Sequence, residues 1–298
     1  MWKPADDPLL GRIETARMRI GGWDTRLFAA GAGPAVVLLH GSSVAVDSRL
    51  TWFRLFPMLA AHRRVIMFDQ PGFGDSEIPG DLVYPDRLAR SEHALAVLDH
   101  LGLSGIAAIG HSEGGFVATR LALLRPGLVC TLVIATSGGT APILGDAEDA
   151  RWMAASASVY DYPARTVDEE HFVRTEMALR QRPDSDFELL LRSNFRRDLG
   201  SGHVEMLRRR TVASTRFARY TELQEQYIHP FLAAIRARPT LLWADRDLTV
   251  PVARGERLAA MLPRAVLHVL PGTGHWLMHD QPDLFNRLAA AAVDTTQA

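Results

Sequence analysis

Gly110-His111-Ser112-Glu113-Gly114 sets a serine between two glycines in the spacing G-x-S-x-G. A strand entering and a helix leaving such a turn lift the hydroxyl clear of the backbone, while the glycines let strand and helix approach closely. A serine hydroxyl is a weak nucleophile until a base takes its proton, and the base needs an acid to hold its tautomer. On an elbow of this kind the acid follows the serine in the chain, and the His comes last. Asp245 and Asp247 both follow the apolar run Thr240-Leu241-Leu242-Trp243, and either can supply the acid. Among eleven histidines His275 is the base candidate, because it follows the run Val266-Leu267-His268-Val269-Leu270. His111 is expected to point away from Ser112 by strand alternation. The chemistry is attack on a carbonyl, and its oxyanion needs two backbone N–H donors. The sequence offers Glu113, directly after the serine, and Ser42 in the turn His40-Gly41-Ser42-Ser43. His40 is expected to position that turn, with Gly41 and Ser43 at the substrate. The Glu113 carboxylate would oppose an oxyanion, so it is expected to turn away from the reaction centre or to pair with an arginine.

Such side chains need a scaffold that brings loops together. Ala35–Leu39, Val65–Phe68, Ile106–Ile109 and Leu132–Ala135 are short apolar runs bounded by turn residues, as buried parallel strands are. Helical stripes lie between them: Trp52–Leu59, then Leu88, Leu95, Leu98 and Leu101, then Phe116, Ala118, Leu121 and Leu124. Alternating strand and helix predict a doubly wound α/β sheet, with sites at the C-terminal ends of its strands. From 139 to 235 the strand pattern is absent. That stretch reads as helices rich in arginine, among them Arg180, Arg182, Arg192, Arg196, Arg197 and Arg208–Arg210. The expected organisation is an α/β core in two segments, 1–138 and 236–298, with a helical insertion at 139–235.

The 298 residues carry 33 basic and 34 acidic side chains, a net charge of −1 that supplies no field for nucleic acid or an anionic membrane. Lys3 is the only lysine, so 32 of those 33 are arginine, the better bidentate reader of carboxylates. Cys130 is the only cysteine and lies in an apolar run, which predicts a buried core thiol. No uninterrupted apolar run approaches the ~18 residues of a membrane span, and the N-terminus lacks the apolar stretch of a signal peptide. A cytoplasmic protein acting on a small molecule is expected, without metal, nucleotide or other cofactor, with self-association left open.

The order Ser112, Asp, His275 across these strand ends resembles the α/β-hydrolase superfamily along nearly the whole chain, with the helical insertion as its cap domain. In that family the acid stands three residues after a Gly and four before a Pro. With Ala244 in place of the Gly and Pro251 following, the resemblance selects Asp247. A Ser at position 112 separates the chain from the haloalkane dehalogenases and epoxide hydrolases, whose nucleophile is a carboxylate. The stretch Leu267-His268-Val269, Gly274-His275-Trp276 and Phe285-Asn286-Arg287-Leu288 is similar to meta-cleavage-product hydrolases, which split a C–C bond in dienoates from aromatic ring cleavage. That resemblance implies Trp276 packing in the site and a cap arginine on the substrate carboxylate, Arg192 first and Arg196 second. His111 and Glu113 stand where that family usually has Asn and Met. Carboxylesterases and lactonases, with more variable neighbours to the nucleophile, are the alternative, and a non-catalytic ligand receptor on the same fold is a third reading.

Overall fold

The computed structural model describes residues 1–145, 147–212 and 216–294. Six strands build a parallel sheet: β4 (Ala35–Leu39), β5 (Arg64–Phe68), β6 (Ile106–His111), β7 (Val129–Ala135), β8 (Arg238–Ala244) and β9 (Val266–Leu270). Three more precede them, β1 (Lys3–Asp7), β2 (Gly11–Ile20) and β3 (Trp23–Ala30). The nine strands form one sheet in the order β1-β2-β3-β5-β4-β6-β7-β8-β9, with β1, β2, β3 and β5 joined antiparallel. This antiparallel edge was not anticipated from sequence, whereas the six parallel strands fall on the expected apolar runs.

The inner parallel strands β4 to β7 are apolar on both faces because both are covered. Val36 and Leu38 of β4 join one buried cluster, while Val37 and Leu39 join the other. The short helices α1 (Ser48–Trp52) and α2 (Phe56–Ala60) lie between β4 and β5. The second cluster lies under α3 (Arg87–His100) and α4 (Glu113–Leu124), whose Ala94, Val97, Phe116 and Leu121 fill it. Each fully buried aliphatic side chain contributes roughly 1.5–3 kcal/mol, which is why these short strands hold their register.

Between β7 and β8 lie only helices among the described residues: α5 (Ala147–Val159), α6 (Tyr162–Arg165), α7 (Glu169–Met177), α8 (Ser185–Ser201), α9 (His203–Val212), α10 (Arg216–Tyr227) and a 3-10 turn at His229–Ala234. Asp161, Asp168 and Asp184 start α6, α7 and α8 by accepting backbone N–H bonds from the first turn, as N-capping aspartates do. In α8, Phe187, Leu190, Leu191, Asn194, Phe195 and Asp198 recur at helical spacing on a buried face. None of the described helices is long and apolar enough to cross a membrane. Cys130 departs from expectation. It is the second residue of β7, between the buried Val129 and Thr131, and it is partly accessible rather than core.

Candidate active site

Sheet register brings the site's loops together. Leu39 of β4 pairs with Gly110 of β6, so the loops leaving those strands start side by side. Ala244 of β8 pairs with Leu270 of β9, which does the same for the loops carrying Asp247 and His275. Ser112 stands between β6 and α4 with φ 54° and ψ −125°, a conformation an L-residue adopts only at a cost. The surroundings hold it there. Its N–H donates to Ala135 O at 2.9 Å, and its carbonyl accepts from the Gly115 N–H at 3.0 Å and the Ser137 hydroxyl at 2.6 Å. Gly114 is required because a Cβ there would collide with the carbonyls of Leu39 and His40.

The His275 ring faces its acid. Nδ1 lies 2.8 Å from Asp247 Oδ2, and Thr249 Oγ1 is 3.0 Å from the same nitrogen. The other oxygen, Asp247 Oδ1, accepts from the Thr249 N–H and hydroxyl, both at 2.7 Å, and from the Val250 N–H at 3.1 Å. Burial opposes the charged imidazole, but the Asp247 carboxylate outweighs it and raises the His275 pKa above its usual 6.5. Asp245 is exposed and accepts instead from the Thr273 N–H at 3.0 Å. Of the two aspartates, only Asp247 meets His275.

The loop after β4 runs directly over the serine. A Cβ on Gly41 would come within 2.9 Å of Ser112 Cβ, so a side chain there would close the site. His40 fixes this loop from below. Its Nε2 accepts the Gln70 N–H at 2.9 Å, so Nδ1 carries the proton and donates to Gly41 O at 2.8 Å. Burial holds the His40 pKa down at about 3, so the ring stays neutral and keeps that tautomer. Gly41, Ser42, Ser43, His111, Ser112, Glu176, Leu179, His275 and Trp276 line one narrow cleft.

This arrangement, a strained serine on a strand–helix elbow with acid and His on later strand ends, coincides with a match of residues 36–288 to the α/β hydrolase family. The chain belongs to that family. It is 32% identical over 284 residues to 2-hydroxymuconate semialdehyde hydrolase of Pseudomonas sp. strain CF600, covering 92% of this chain and 90% of that one. It is 29% identical to 2-hydroxy-6-oxo-2,4-heptadienoate hydrolase of Pseudomonas putida F1, with 94% of each chain covered. The meta-cleavage product hydrolase of Pseudomonas fluorescens IP01 superimposes with a TM-score of 0.80 at 22% identity, over 98% of this chain and all of that one. The fold is the α/β-hydrolase fold, and the chain is a hydrolase related to C–C bond hydrolases.

In this α/β hydrolase, Gly41, Ser42, Ser43, Ser112, His275 and Trp276 meet in one cleft, as their placement in the sequence suggested. Arg192 does not. Its guanidinium is taken by three glutamates, Glu170 at 2.5 Å, Glu188 at 2.8 Å and Glu169 at 3.3 Å, and it is absent from the cleft lining. Arg196 is two-thirds exposed and pairs with Glu169. The expectation of either arginine at the substrate is corrected by this glutamate cluster, which turns that face of α8 outward.

Two cleft features escaped the sequence. His111 does not simply point away: its Nε2 donates to His275 O at 2.9 Å, and the ring lines the cleft. Burial, with His275 nearby, holds His111 neutral. Glu176 of α7 is fully buried and accepts from Trp276 Nε1 at 3.0 Å, with Arg165 as its ion-pair partner. The Glu113 side chain does pair with arginines, Arg90 and Arg210.

Proposed function

We propose that Ser112, His275 and Asp247 act as nucleophile, base and acid, that the N–H groups of Ser42 and Glu113 form the oxyanion hole, and that residues 139–235 serve as a cap over the cleft. The reading rests chiefly on the 2.8 Å contact of His275 Nδ1 with Asp247, beside a serine held in a strained elbow. With Nδ1 committed to Asp247, Nε2 is left to take the Ser112 proton.

The substrate proposed is a meta-cleavage-type dienoate, in line with what the named relatives act on. The dienol first ketonises. Ser112 Oγ then bonds to the ketone carbonyl carbon while His275 takes its proton, and the resulting oxyanion lies against the two N–H donors. Collapse breaks the C–C bond, and the carbon leaving group takes its electron pair and the proton from His275. Water, deprotonated by His275, releases the acyl group from Ser112 as a carboxylic acid.

A second reading, a carboxylic ester or lactone as substrate, is favoured by the cleft itself. Among the described residues its lining includes Glu176 and no arginine or lysine, so a substrate carboxylate finds no arginine or lysine partner among them. Comparing kcat/KM for a ring-cleavage dienoate, short aryl esters and lactones tests both. Turnover of the dienoate over the esters supports the first; ester turnover without dienoate cleavage overturns it in favour of the second.

A further inference from the structure

Glu113 combines two positions that rarely meet. It follows the nucleophile, and its carboxylate is buried with three partners. Tyr84 OH donates to Oε2 at 3.0 Å, Arg90 of α3 pairs with the same oxygen, and Arg210 of α9 donates to Oε1 at 3.0 Å. Burial alone would raise the pKa of Glu113, but Arg210, Arg90 and Arg87 together hold it well below the usual carboxylate range. The carboxylate is therefore ionised, and two arginines against one glutamate leave the local balance positive. The Arg210 guanidinium lies 3.9 Å from the centre of the Tyr84 ring, which fixes its plane.

Arg210 stands apart because it comes from the helical insertion, while Glu113, Arg90, Tyr84 and Ser42 belong to the core segments. The insertion grips the other side of the oxyanion loop as well. Asn194 donates to Ala45 O at 2.8 Å, Arg197 to Asp47 Oδ2 at 2.7 Å, and Asp198 accepts the Ala45 N–H at 2.8 Å. Both residues proposed as oxyanion donors are thus tied to inserted helices, Glu113 through its own carboxylate and Ser42 through its loop.

We propose that Arg210 is a positioning residue for the oxyanion hole, acting through Glu113 so that the two N–H donors align only when the inserted helices are seated. The insertion then completes the catalytic geometry as well as covering the cleft. This rests on the serine-hydrolase reading above, and it holds for a C–C or an ester substrate alike.

The test needs no known substrate. A fluorophosphonate phosphonylates an activated serine through a charged intermediate that requires the same oxyanion donors. Labelling rates are measured against reagent concentration for wild type, R210M, R210K, E113Q and the R210M/E113Q double variant, with melting curves to show that each is folded. The expected result for R210M is a fall of about tenfold or more in the rate at saturating reagent, the order of effect of a displaced oxyanion donor. The half-saturating concentration stays within about threefold, and R210K lies between. Because Arg210 acts through Glu113, the double variant labels no more slowly than the slower single variant. An unchanged saturating rate in R210M, an effect on half-saturation alone, or multiplying effects in the double variant each overturn the proposal. Should R210M fail to fold, R210K is read in its place, with a several-fold fall expected and an unchanged rate contradictory. A wild type that does not label at all refutes the serine-hydrolase reading instead, and this proposal with it.

Discussion

At the scale of single residues, Asp247 carries the sharpest consequence. It holds the His275 tautomer and offsets the burial that otherwise lowers the imidazole pKa. The base must be neutral to work, so activity should fall as pH drops through a His275 pKa above 6.5. Asp247→Asn should lose on the order of 10⁴-fold in kcat. It should also move the acid limb of the kcat/KM profile below that of wild type, since burial is then opposed only by the weaker effect of Glu176. Asp245→Asn, whose carboxylate meets only the Thr273 N–H, should leave both within about twofold. A pH profile in which the two aspartates exchange these effects would reverse the assignment. Much of this was legible beforehand: Ser112, His275 and the two aspartates each follow a short apolar run, and such runs end where a parallel sheet places its loops. Glu176 was not legible, because its contact with Trp276 joins residues 100 apart in the chain and nothing local marks it. His111 was misread because strand alternation governs where a side chain starts, not how far a ring at a strand's end can lean.

Among the elements, the elbow is the part least able to relax. Gly114→Ala places a methyl against two carbonyls of the β4 loop, an overpacking expected to cost about 1–3 kcal/mol and to displace the serine. Urea midpoints together with labelling rate check it, and a variant as stable and reactive as wild type would show the contact to be yielding. On α8, Arg192→Ala should leave KM for any substrate within about twofold, because its partners are three surface glutamates. A large KM increase confined to carboxylate-bearing substrates would restore it to the site. The sequence conveyed α8's helical character but not its rotation, since an arginine on a helix looks the same whether it faces cleft or solvent. It also concealed β1, whose Lys3-Pro4-Ala5-Asp6-Asp7 lacks β-branched residues and contains a proline. That strand forms at the sheet's edge by pairing with β2, a context no local pattern contains.

For the whole molecule, a few of the arginines have a structural use: they form ion pairs that fasten the insertion to the core, as Arg197 and Arg210 do. With a net charge of −1 and no arginine or lysine among the described residues that line the cleft, encounter with an anionic substrate gains little from long-range steering. Raising ionic strength from 20 to 200 mM should therefore change kcat/KM by less than about twofold, and a steep decline would reveal a steering field. The central claim, that Ser112 is the activated nucleophile, is tested most directly by treating the folded protein with a fluorophosphonate and locating the adduct by peptide mass mapping. One adduct on Ser112, absent after Ser112→Ala, is the predicted result; no adduct, or one on another residue, would contradict it.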